Sequence, residues 1–128
     1  MSGSAFDEAF GRSPLLLHVE AFDEASIDFV QHSISTKIAD CLASGIPLLA
    51  YAPESVSSMK HLLRHKCALT ATTKAELRAM LLKAFSQREE LCHIANNALI
   101  TAKEFHEQDT VSIHLHELIH SVINAPRE

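Results

Sequence analysis

Two short apolar runs constrain this chain more than any other feature. Leu15-Leu-Leu-His-Val19 and Pro47-Leu-Leu-Ala-Tyr51 show no alternation of apolar and polar residues. A strand with one face in water alternates, because successive side chains point to opposite faces. A short run without alternation suits a strand covered on both faces, as in a parallel sheet. Between the runs the spacing becomes helical: Ile38, Cys41 and Leu42 recur from Ser35, Gly45 stops the helix, and Pro47 restarts the chain. Parallel neighbours need a crossover of this kind, right-handed by rule.

The rest of the chain extends the pattern. Residues 5–11 read as a short helix ended by Gly11, and residues 20–33, lacking any period, as a loop. A helix over 55–65 and a short strand, Cys67-Ala-Leu69, follow. Thr73 with Glu76 forms a capping box ahead of Leu77, Met80, Leu81, Ala84 and Phe85. Ser86 with Glu89 repeats the device ahead of Leu91, Ile94, Ala95, Ala98 and Ala102. A last helix carries Val111, Leu115, Leu118, Ile119 and Val122 as its buried stripe. The expected fold is α/β, a small parallel sheet of about three strands with flanking helices and a helical C-terminus. Three strands are few for an open parallel sheet, so one edge is expected to lack its natural neighbour.

Composition narrows the function classes. A chain of 128 residues makes one domain, here assigned to 5–128, with residues 1–4 read as a tag remnant or ragged terminus. Apolar residues are 47% of the chain with no Trp and one Tyr, so the core must be built from Leu, Ile, Val and Ala. Lys and Arg number 11 against 16 Asp and Glu, which argues against a binder of duplex nucleic acid. Three cysteines without a CxxC pair argue against a disulfide framework and favour a cytoplasmic setting. No stretch approaches the roughly 18 apolar residues of a membrane span.

The most informative segment runs from Ser33 to Tyr51. It places Ser35, Thr36 and Lys37 at a helix N-terminus just beyond the strand that ends at Val19. Free amides and the positive end of the helix dipole make such a terminus a phosphate site, and ligands collect at this edge of open α/β sheets. Lys37 opposes the dipole, which a nearby anion would explain. Asp40, one turn in, is suited to accept hydrogen bonds from a ribose diol. The plainer reading makes Ser35 and Thr36 ordinary caps and Lys37 with Asp40 a surface pair.

This segment resembles the donor-binding signature of GT-B-fold glycosyltransferases that carry a Glu, seven residues, Glu motif. The match is carried by Ser35-Thr-Lys37, Asp40 and Ala43-Ser-Gly-Ile-Pro47, with Leu15–Glu20 upstream and Ala50-Tyr-Ala-Pro53 downstream. The resemblance implies a partial Rossmann-like, three-layer domain, the second half of the C-terminal, donor-nucleotide-binding domain. It implies that Asp40 holds the nucleotide ribose and that Ser35, Thr36 and Lys37 flank the donor diphosphate. His32 stands where the family has its first Glu, and Asp40 is one methylene shorter than the second. The implied function is part of a retaining glycosyltransferase acting on a nucleotide-sugar, with no other cofactor. Without an acceptor domain or the early donor-domain strands, the piece is expected to be inactive alone. Its expected partner is that acceptor domain, or a second copy through the open edge of strand 15–19.

One motif competes. His116-Glu-Leu-Ile-His120 is a formal H-E-x-x-H, whose paired histidines share a helix face and can grip zinc. Only Glu128 follows as a possible third ligand, so a zinc hydrolase using His116, Glu117 and His120 ranks third. The alternative that ranks second is a non-catalytic α/β module that self-associates or binds a protein. His61 and His65, also four apart, read as surface residues, and Cys41 as core.

Overall fold

Leu48, Leu49 and Ala50 are all buried, so the more apolar of the two runs lies at the centre of the sheet. The structure is a computed structural model that describes residues 12–125. The helix expected over 5–11 lies outside those residues. β1 (Leu16–Val19), β2 (Leu48–Tyr51) and β3 (Leu69–Ala71) form a parallel sheet in the order β1-β2-β3. Leu17 pairs with Leu49, and Leu49 with Leu69, so one row of leucines crosses the sheet on one face. Helices α1 (Glu24–Val30), α2 (Thr36–Ala43), α3 (Ser57–His65), α4 (Lys74–Ser86), α5 (Arg88–Phe105) and α6 (Gln108–Ile123) complete the order. This is the expected α/β architecture. Among the described residues no helix is long and apolar enough to cross a membrane.

Two apolar clusters cover the sheet. On one face Leu16, Leu48 and Ala50 meet Ile38 and Leu42 of α2, Met59 and Leu62 of α3, and Ala98 and Ala102 of α5. On the other, Leu49 and Leu69 meet Ala84 of α4 and Ile94 of α5. Burying one such aliphatic side chain is worth about 1.5–3 kcal/mol, and these clusters supply the bulk of the fold's stability. The α4 layer stops short of β1. Leu17 and Val19, which share a face with Leu49, remain 59% and 55% exposed. Among the described residues the two-sided cover expected of both runs therefore holds for β2 and is missing from β1.

Three further expectations are corrected. Residues 20–33 contain α1, which starts where Asp23 accepts a hydrogen bond from the Ser26 amide at 2.9 Å. Only Ile27 and Val30 of α1 pack on the core, too few to give a readable period. The third strand begins at Leu69 rather than Cys67. Lys66, at φ 50°, closes α3 in the left-handed conformation, and the Cys67 amide returns to the Leu62 carbonyl, so the turn consumes these positions. Ser86 does not cap α5: it is the last residue of α4, and its hydroxyl donates to the Leu82 carbonyl. Gln87 alone joins the two helices. The Thr73–Glu76 box is formed reciprocally as expected.

The last correction concerns α6. None of its residues is buried, and its stripe residues Leu115, Leu118 and Val122 are 54%, 61% and 68% exposed. The stripe exists, but it faces outward because no element of the described chain lies against it.

Candidate functional site at the carboxyl edge of the sheet

β1 delivers His18 and Glu20 to the carboxyl end of the sheet, and α2 brings its N-terminus to the same place. Between them opens a cleft of about 630 Å³, lined among others by His18, Glu20, Ser26, Ser35, Thr36 and Lys37. The Ser57 hydroxyl, at the start of α3, donates to the Gln31 carbonyl and ties the end of α1 to the wall of this cleft. Phe22 and Tyr51 pack as an aromatic pair at the same edge, with ring centroids 4.8 Å apart.

Ser35 occupies the N-cap of α2, yet its side chain makes no capping hydrogen bond. The first intrahelical turn is closed by the Ile38 amide donating to the Ser35 carbonyl at 3.0 Å. The amides of Thr36 and Lys37 precede it and have no place in the helical ladder. The first turn holds no acidic residue, and Lys37 adds a positive charge where the dipole is already positive. In this structure Ser35 holds the N-cap position without a side-chain cap.

Opposite stands a largely covered acid, Glu20. His18 Nε2 lies 2.8 Å from Glu20 Oε1, and the two side chains are only 9% and 11% exposed. With the carboxylate ionised, Nε2 carries the hydrogen and donates. The second oxygen, Oε2, is buried and has no hydrogen-bond partner among the described residues. Buried acceptors are rarely left so. Neither His18 nor Glu20 was singled out from the sequence. The signal was present in a polar pair at the end of an apolar strand, which is where such folds place ligand contacts.

The structure does not gather all the residues named from sequence. Ser35, Thr36 and Lys37 share the cleft. Asp40 is exposed and lines a different groove, of about 530 Å³, between α2 and the end of α5, with Lys103, His106 and Glu107. His32 is exposed and is not among the residues lining either. His116, Glu117 and His120 share a shallow depression of about 440 Å³ along α6. No group of three or more His, Cys, Asp or Glu side chains among the described residues stands ready to hold a metal ion. Burial pushes the Cys41 and Cys67 thiols up in pKa, in keeping with core rather than nucleophilic roles.

A second cluster was only half visible in the sequence. His61 and His65 on α3 meet His106, which ends α5, and His61 Nε2 lies 3.1 Å from His106 Nε2. Burial, then the neighbouring His65, His106 and Arg64, lowers the pKa of His61 to about 4. Burial and His65 lower that of His106. Compared with protein-family models, curated proteins and solved structures, the chain matches none.

Proposed function

We propose that the cleft between β1 and α2 is the diphosphate end of a nucleotide-sugar site, and that the chain contributes part of the donor-binding domain of a retaining glycosyltransferase. The observation that carries this reading is the N-terminus of α2, without a side-chain cap and with Lys37 in its first turn, sharing one cleft with the largely covered Glu20. Amides, dipole and ammonium favour a diphosphate, while a carboxylate with an unpaired oxygen favours a hydroxyl donor. A sugar diphosphate carries both. Among the described residues Lys37 is the only Lys or Arg lining the cleft. Stabilising a departing diphosphate calls for more positive charge than this, and transfer needs an acceptor held within reach. The described residues thus supply donor binding and not the full reaction.

A thermal-shift titration with UDP, GDP, ADP, their sugar conjugates and inorganic diphosphate tests the reading. Ligand binding to the folded chain must raise its melting temperature by mass action. One nucleotide is expected to do so, and Lys37→Ala to remove most of the shift. No shift with any of these ligands at millimolar concentration would sink the proposal.

A second reading, a module that associates with its own copy, is favoured by α6. Val111, Leu115, Leu118 and Val122 recur at intervals of 4, 3 and 4, the seam of a two-helix coiled coil, and all are exposed.

A further inference from the structure

A second helix begins at the same cleft. Crossover helices of a parallel sheet run back against the strands, so their N-termini gather at the carboxyl edge. α2 joins β1 to β2 and α3 joins β2 to β3. The first turn of each lines the cleft, with Thr36 and Lys37 from α2 and Ser58 from α3. α3 starts much as α2 does. Val56 at its N-cap makes no side-chain capping bond, and its first turn holds no acidic residue. The Lys60 amide donates to the Val56 carbonyl at 3.1 Å, so the amides of Ser57, Ser58 and Met59 precede the helical ladder. Each such N-terminus is equivalent to roughly half a positive charge.

Ser58 distinguishes this terminus from an ordinary helix start. It is only 2% exposed, yet it lines the cleft. Its hydroxyl makes no hydrogen bond among the described residues, and buried polar groups are seldom left so. Neighbouring Ser57 is already committed, because its hydroxyl donates to the Gln31 carbonyl. We propose that Ser58 and the first-turn amides of α3 hold the second phosphate of a diphosphate whose first phosphate rests at the N-terminus of α2. The inference rests on the diphosphate reading of the cleft and deepens it. Phosphate oxygens only accept, while Ser58 Oγ and the amides of both helices donate. The two helix starts add their partial charges to the single charge of Lys37. A lone phosphate satisfies one helix start, so the cleft prefers a diphosphate to a monophosphate.

The test is a calorimetric titration of the parent and of Ser58→Ala with inorganic diphosphate, and with each nucleoside diphosphate beside its monophosphate. Because the hydroxyl has no protein partner, Ser58→Ala is expected to leave the melting temperature of the free protein undiminished. It is expected to weaken inorganic diphosphate about tenfold, the worth of one hydrogen bond to a charged group. The preference for nucleoside diphosphate over monophosphate shrinks by the same factor. In amide-shift titrations of the parent, Ser57, Ser58 and Met59 are expected to move together with Thr36 and Lys37 as diphosphate is added. Diphosphate affinity within twofold of the parent's in folded Ser58→Ala overturns the proposal and leaves the site at α2 standing. So do Ser58 and Met59 amides that stay unmoved while diphosphate binds, a readout that does not depend on the variant folding. Inorganic diphosphate bound through Ser58, with no gain from any nucleoside, supports this proposal and overturns the nucleotide reading. No binding of any diphosphate at millimolar concentration overturns both.

Discussion

His61 shows how a single side chain can couple this fold to pH. Burial and two neighbouring imidazoles hold its pKa near 4, below the ordinary value of 6.5. A histidine whose folded pKa is depressed resists protonation in the native state only. Its contribution is therefore intact above pH 6.5 and is lost as the pH falls from there toward 4. The ring is partly exposed, so solvent screening leaves on the order of 1 kcal/mol at stake. Chemical denaturation at pH 7.5 and 5.0 is expected to show that loss, and His61→Phe to reduce it. Equal pH dependence in both proteins would show that the cluster is electrostatically idle. At the same scale, much of the cleft was legible. Ser35, Thr36 and Lys37 were marked by their place between an apolar strand and a helical period. Glu20 was not, because its burial and its bond to His18 depend on how β1 ends against α1 and α2.

At the scale of elements, local chemistry was readable wherever it was self-contained. The Thr73–Glu76 box needs only four consecutive residues, and it forms with both partners in place, the Glu76 amide 3.1 Å from Thr73 Oγ1. Thr73→Ala is expected to cost about 1 kcal/mol, read as a lower denaturation midpoint at unchanged slope. A loss below about 0.3 kcal/mol would mean that the tertiary contacts of α4 make the cap redundant. Ser86 and Glu89 carry the same spacing and form no box, because α4 runs on through Ser86 and leaves Gln87 as the only joint. The motif was identical; the difference lay in where the preceding helix ended. The same holds for β3, displaced by the left-handed Lys66 turn, a conformation in which a residue other than Gly is uncommon. Short turns that consume residues without a Gly or Pro marker were the illegible part.

For the whole molecule, the open question is what covers the apolar surface left outside. The α6 stripe stands exposed along its length, with Leu118 and Val122 61% and 68% accessible. In the second reading, pairing of two α6 helices along Val111, Leu115, Leu118 and Val122 would cover that seam. Light scattering behind size-exclusion chromatography is expected to give a dimer at tens of micromolar, and Leu115→Glu with Leu118→Glu a monomer of unchanged fold. A monomer for the parent across that range removes the second reading. The sequence showed the stripe and not its direction, since periodicity reports that a helix has an apolar side and is silent on whether anything lies against it. The exposed face of β1 was hidden in the same way: Leu17 belongs to an apolar run, and among the described residues the reach of α4 leaves it outside the cluster.

The two apolar clusters share one helix. α5 sets Ile94 into the cluster beneath α4, and four residues later sets Ala98 into the cluster beneath α2 and α3. Along its length, about 27 Å at the α-helical rise, it crosses from one side of the sheet to the other. The two sides are therefore expected to open together, because both lean on the same rod. Amide exchange in β2, which lies between the clusters, is therefore expected to follow global unfolding rather than local breathing. The cleft is thereby anchored, through the pairing of β1 with β2, to the strand at the centre of the sheet.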